Sequence, residues 1–118
     1  LPAKYSNIPL DYGSKELSEL GCFLGSAAIV VLSNKDNMKD VGLNLLKFFE
    51  EESCGQCTPC RVGTEKTVKI MKEKIWNKEK LEDLSEVMSE ASICGLGQAA
   101  SNPLRSIMKH FEEEITYD

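Results

Sequence analysis

At 118 residues the chain holds one domain, or one small domain and part of another. Its hydrophobic (42%) and charged (28%) fractions are ordinary for a globular protein, and a net charge of -5 argues against nonspecific nucleic-acid binding, which needs clustered Lys and Arg. No apolar run approaches the roughly 18 to 20 residues of a membrane span, and Leu1-Pro2-Ala3-Lys4-Tyr5 lacks the form of a signal peptide, so direct membrane insertion is not expected. The chain begins without methionine, which reads as a processed or excised piece of something longer.

Residues 1 to about 35 differ in texture from the rest. Pro2, Pro9, Gly13, Gly21 and Gly25 punctuate short apolar pieces, a pattern of turns and strands. Ala27-Ala28-Ile29-Val30-Val31-Leu32, bounded by Gly25-Ser26 and Ser33-Asn34, predicts a buried strand. One or two strands make no stable sheet, so this segment reads as the end of a β-rich domain whose remainder lies upstream.

From Asp36 the period becomes helical. Met38, Val41, Leu45, Phe48 and Phe49 predict an amphipathic helix over about 36–50. A second helix is expected to begin beside Cys60, with Pro59 in its first turn and Thr58 as cap, and an inward stripe of Thr64, Val68, Met71 and Ile75. Leu81, Leu84, Met88 and Ala91 predict a third over about 79–91, ended by Cys94-Gly95-Leu96-Gly97. Asn102-Pro103 opens a fourth, with Leu104, Ile107, Met108, Phe111 and Ile115 at helical spacing. The expected fold is mainly α: a small four-helix bundle at 36–118, preceded by a short β segment at 1–35.

Five cysteines are an odd number, and Cys54, Cys57 and Cys60 crowd into one loop at C-x2-C-x2-C spacing. That is a poor disulfide framework and a good metal site in a reducing compartment, cytoplasm or an equivalent matrix. A [4Fe-4S] cubane needs four thiolates around a compact body; three from one loop and a distant Cys94 supply them. In an up-down-up-down bundle the two cysteine loops share one end. The competing reading is a structural zinc on the same four cysteines, although zinc more often uses two C-x2-C pairs. A two-cluster ferredoxin is disfavoured, since no fourth cysteine follows Cys60 at the required spacing.

Other residues receive blander readings. Cys22 is a small buried hydrophobe, and His110 a helix-end residue. Gly55 suits a loop needing positive φ, and Arg61 either offsets cluster charge or is solvated. The second helix turns its positive dipole end toward the sulfurs, which favours the reduced cluster, while Glu50-Glu51-Glu52 opposes it.

Glu52-Ser53-Cys54-Gly55-Gln56-Cys57-Thr58-Pro59-Cys60-Arg61-Val62-Gly63-Thr64, with Ser92-Ile93-Cys94-Gly95-Leu96-Gly97, closely resembles the family of NADH-binding flavoprotein subunits. That family includes the FMN-bearing subunit of respiratory complex I and the β subunits of NAD-dependent formate dehydrogenases and NAD(P)-linked hydrogenases. The resemblance covers essentially the whole chain. It implies that 1–35 is the tail of a soluble-ligand-binding β-grasp domain and 36–118 a helical iron-sulfur domain. It also implies that Cys54, Cys57, Cys60 and Cys94 ligate a [4Fe-4S] cluster fed by FMN, which takes hydride from NADH in a part absent from these residues. This chain would then carry electrons without itself transferring hydride. Its partners would be the upstream FMN/NADH-binding domain and other iron-sulfur subunits, through which a membrane association could arise. Val62 stands where many members carry glutamate.

Overall fold

A computed structural model describes residues 1–117 and divides the chain into two compact units, Leu1–Asp36 and Asn37–Asp118. The first unit holds a 3-10 turn, Ala3–Tyr5, and one short helix, α1 (Lys15–Glu19). Ser14 caps α1 by accepting the Leu17 N–H, and Leu17 is buried. Cys22 is half-buried, its thiol directed at the Leu20 carbonyl at 3.8 Å.

No sheet forms among the described residues; the pairing present there is an isolated bridge between Trp76 and Tyr117. The run expected to be a buried strand is irregular and opens on a turn with Ala27 at φ +62. Val30 and Val31 are 80% and 90% exposed. A strand satisfies its amides only against a second strand, so an apolar β-branched run with no neighbour stays unpaired.

Among the described residues the second unit carries five helices: α2 (Met38–Glu52), α3 (Thr58–Met71), α4 (Lys78–Ala91), α5 (Gly95–Ala99) and α6 (Asn102–His110). Asn37 caps α2 by accepting the N–H groups of Lys39 and Asp40, and Asn77 caps α4 by accepting that of Lys80. Helix α2 packs on α3 and α6, α3 on α4, and α5 on both α3 and α4. The core is Leu46, Val68, Met71, Trp76, Leu81 and Leu104, with Ile107 and Ile115 at its edge.

Several details differ from the sequence expectation. On α2 the buried positions are Met38, Gly42 and Leu46, while Leu45 and Phe48 are exposed. The apolar arc of this helix is wider than the face it buries, so periodicity alone does not choose the buried edge. Gly42 does: a Cβ there would lie 2.5 Å from Ile107 Cδ1, so its absence lets α2 approach α6. Helix α3 ends at Met71, leaving Ile75 half exposed and Trp76 fully buried. Helix α6 starts at Asn102 with Ser101 as its cap and stops at His110; a 3-10 turn, Glu112–Glu114, then carries Ile115 back to the core.

Trp76 anchors the far side of the bundle. Its indole N–H donates to the Met71 carbonyl at 3.1 Å, and its backbone N–H to Thr116 O at 2.9 Å. Trp76→Ala should cost about 3–5 kcal/mol of folding free energy, read by urea denaturation. Beside it, burial first and then the Glu112 and Glu82 carboxylates push the Tyr117 phenol above its ordinary value near 10. The folded chain therefore holds this proton more tightly than the unfolded one. The resulting stability is fully present below pH about 10 and is lost as pH rises through the folded value. Tyr117→Phe should flatten that alkaline loss in a pH series of denaturation midpoints.

Candidate metal centre

The Cys54–Cys60 loop leaves α2 and enters α3 directly. Gly55 takes φ +77, a left-handed conformation open to glycine at little cost, and folds the loop back on itself. Arg61 fastens that turn: one guanidinium nitrogen donates to Gly55 O at 2.6 Å, another to Thr58 Oγ1 at 3.4 Å. Its side chain is therefore committed to the loop backbone. Cys57, rather than Thr58, is the N-cap of α3, and its side chain makes no capping bond. Thr64 Oγ1 donates to Cys60 O at 2.7 Å and ties the first turn to the cysteine.

The four cysteines differ in exposure: Cys60 is buried, Cys57 half-buried, and Cys54 and Cys94 exposed. Two loops far apart in sequence meet here. The backbone amides of Ile93, one residue before Cys94, and of Cys60 act electrostatically on the Cys57 sulfur. These two amides, Ile93 first, hold the Cys57 thiol below its ordinary value against a smaller opposing effect of burial; its own amide and the Ser92 side chain add to the lowering. Donors aimed at a sulfur favour the thiolate, the form that binds metal.

Helix α5 holds the second loop in place. Its Gly97 packs so closely that a Cβ would lie 2.9 Å from Cys60 Cβ and 2.6 Å from Ser92 Cβ. Gln98 Nε2 donates to Ser92 O at 3.1 Å, and Gln98 N–H to Cys94 O at 3.2 Å. Cys94 is the N-cap of α5, in extended backbone. This one-turn helix escapes sequence reading because five residues are too few for periodicity.

Among the described residues, no three His, Cys, Asp or Glu side chains converge on the position of a single metal ion. A four-iron cubane makes a different demand, since each thiolate binds its own iron on a separate corner. The donor set fits that demand: four soft sulfurs, amides directed at one of them, and a glycine where α5 presses on Cys60. His110 lies at the end of α6 and Cys22 in the other unit.

Sequence reasoning passes over two residues here. Ser53 Oγ lies 3.3 Å from Cys60 Sγ, and Ser92 Oγ is buried where Gly97 packs on Cys60. Serine carries no spacing signature, so only the fold marks them.

Comparison with known proteins gives one consistent answer. Residues 40–118 match the family described as NADH-ubiquinone oxidoreductase-F iron-sulfur binding region. The F-type subunit of the NADH-quinone oxidoreductase of Aquifex aeolicus is 36% identical over 115 residues, covering 92% of this chain and 25% of that protein. A subunit of the NADP-reducing hydrogenase of Solidesulfovibrio fructosivorans is 34% identical over 97% of this chain and 24% of its own length. Among solved structures, NAD+-reducing [NiFe]-hydrogenase in its H2-reduced state aligns with a TM-score of 0.65 at 36% identity, over 71% of this chain and 16% of that one. The chain thus spans about a quarter of the length of the curated relatives it matches. No helix among the described residues is long and apolar enough to cross a membrane. By motif, by matched region and by fold, the chain belongs to the NADH-ubiquinone oxidoreductase-F iron-sulfur binding region family.

Proposed function

We propose that this chain is an electron-transfer module, with Cys54, Cys57, Cys60 and Cys94 holding one [4Fe-4S] cluster. The observation that carries the reading is the meeting of the two cysteine loops, where Gly97 packs against both Cys60 and Ser92. When bound, such a cluster accepts and releases electrons singly. The protein's own contribution is placement and electrostatics. The Gly55 turn and Arg61 shape the loop, the start of α3 aims amides at sulfur, and α5 brings Cys94 to the same end of the bundle. Exposed Cys54 and Cys94 set the site at the protein surface, where a neighbouring redox group can come within tunnelling range.

In this reading, residues 36–118 are the iron-sulfur domain and residues 1–35 the tail of a β-grasp domain. The exposed Ile29-Val30-Val31 run supports that assignment, because it has the composition of a strand and lacks a partner. The relatives' names place them in NADH- and NADP-linked oxidoreductases. By extension, this module receives electrons from an FMN/NADH-binding part of its own subunit. It passes them to iron-sulfur partner subunits in the cytoplasm or a similar reducing compartment.

Metal and sulfide analysis of anaerobically purified protein tests the assignment, with EPR before and after dithionite. The expected result is about four irons and four sulfides per chain, and a low-temperature signal that appears on reduction. One zinc, no sulfide and no signal would replace it with a structural zinc domain.

A further inference from the structure

We propose that the hydroxyls of Ser53 and Ser92 are hydrogen-bond donors to ligand thiolates, Ser53 to that of Cys60, and that they raise the reduction potential of the cluster. This rests on the assignment of that cluster to the four cysteines. Ser53 Oγ stands 3.3 Å from Cys60 Sγ. The same oxygen accepts the Gly55 N–H at 3.3 Å, which occupies a lone pair and leaves the hydroxyl proton free to point at sulfur. Cys60 is buried, so this contact is only partly screened by water.

Ser92 sits on the other side of the site. It is 5% exposed, and its Oγ finds no hydrogen-bond partner among the described residues. A buried hydroxyl without a partner is costly, and Gly97 closes off the space beside it. Gly97 packs against both this hydroxyl and Cys60, so the acceptors the hydroxyl meets in the assembled site are the ligand sulfurs. A metal-bound thiolate accepts such bonds through its remaining lone pairs. The bonds tighten as negative charge rises, so they stabilise the reduced cluster more than the oxidised one. Ser53 and Ser92 are therefore positioning and tuning residues that act through the ligands.

The test is an EPR-monitored redox titration of the full chain, anaerobically purified, with iron and sulfide measured on every sample. Ser53→Thr and Ser53→Val are nearly isosteric and differ in the hydroxyl. The Val form and Ser92→Ala should each lower the midpoint potential, a threefold to tenfold change in the reduced-to-oxidised ratio, or about 28–59 mV for one electron. The Thr form should stay with the wild type. Equal potentials for the Thr and Val forms, with iron and sulfide intact and Ser92→Ala unmoved, would overturn the inference while leaving the cluster assignment standing. Wild-type protein with no sulfide would overturn both. Should Ser53→Val fail to retain its cluster, Ser92→Ala decides alone: a fall in potential supports the proposal and an unchanged value overturns it.

Discussion

Cys57→Ala is expected to empty the metal centre and leave the helices standing. Iron and acid-labile sulfide should fall from about four each per chain to below about one, with loss of the reduced EPR signal. The fold should survive because the Cys57 side chain makes no capping bond to α3 and is only half-buried. Its truncation removes no core volume, and water can take over the Ile93 and Cys60 amides that pointed at its sulfur. Far-ultraviolet circular dichroism of the metal-free protein should thus match that of wild type stripped of metal. Cys22→Ala is the control: it lies in the other unit, and iron content should not change. Full cluster content in Cys57→Ala would refute its role as a ligand.

Gly97→Ala should damage both stability and metal retention, although it adds one methyl group and touches no proposed ligand by charge. The new Cβ would clash with Ser92 Oγ and lie 2.6 Å from Ser92 Cβ and 2.9 Å from Cys60 Cβ. Two of these are stiff atoms next to backbone, so the strain cannot be relieved by swinging a flexible side-chain end. By contrast, a methyl at Gly42 meets the mobile tip of Ile107. The expected cost is about 1–3 kcal/mol in urea denaturation. Pushing α5 off Cys60 also withdraws Cys94 from the other cysteines, and metal affinity should drop about 10–100-fold, the size usual for a disturbed supporting shell. Adding Ser92→Gly to Gly97→Ala removes two of the three clashes and should recover part of the lost stability, a coupling that a double-mutant cycle reads directly. An additive result would show that Gly97 acts elsewhere.

Much of this was legible in the residues. The C-x2-C-x2-C run and Cys94 announce a metal site because thiolate chemistry depends on residue type and short local spacing. Helices α2, α3, α4 and α6 were visible from apolar periodicity, and Pro59 and Asn102-Pro103 marked the starts of α3 and α6 to within a residue. The 27–32 run shows where the reading failed. Its composition is that of a strand, but a strand is a relation between two segments, and among the described residues no partner pairs with it.

Local patterns alone settle the cysteine spacing, the helical texture of residues 37–111 and the family, so all three can be read before any folding is known. Packing between distant segments settles the rest. It chooses the buried face of α2, through the contact of Gly42 with Ile107, and it forms α5, a single turn too short to hold itself and kept in place by α3 and α4. It also brings Ser92, Ile93 and Gly97 to Cys57 and Cys60 across more than thirty residues of chain. The reason is physical: backbone propensity and periodicity act over a turn or two, whereas close approach at a glycine exists only once distant helices have packed.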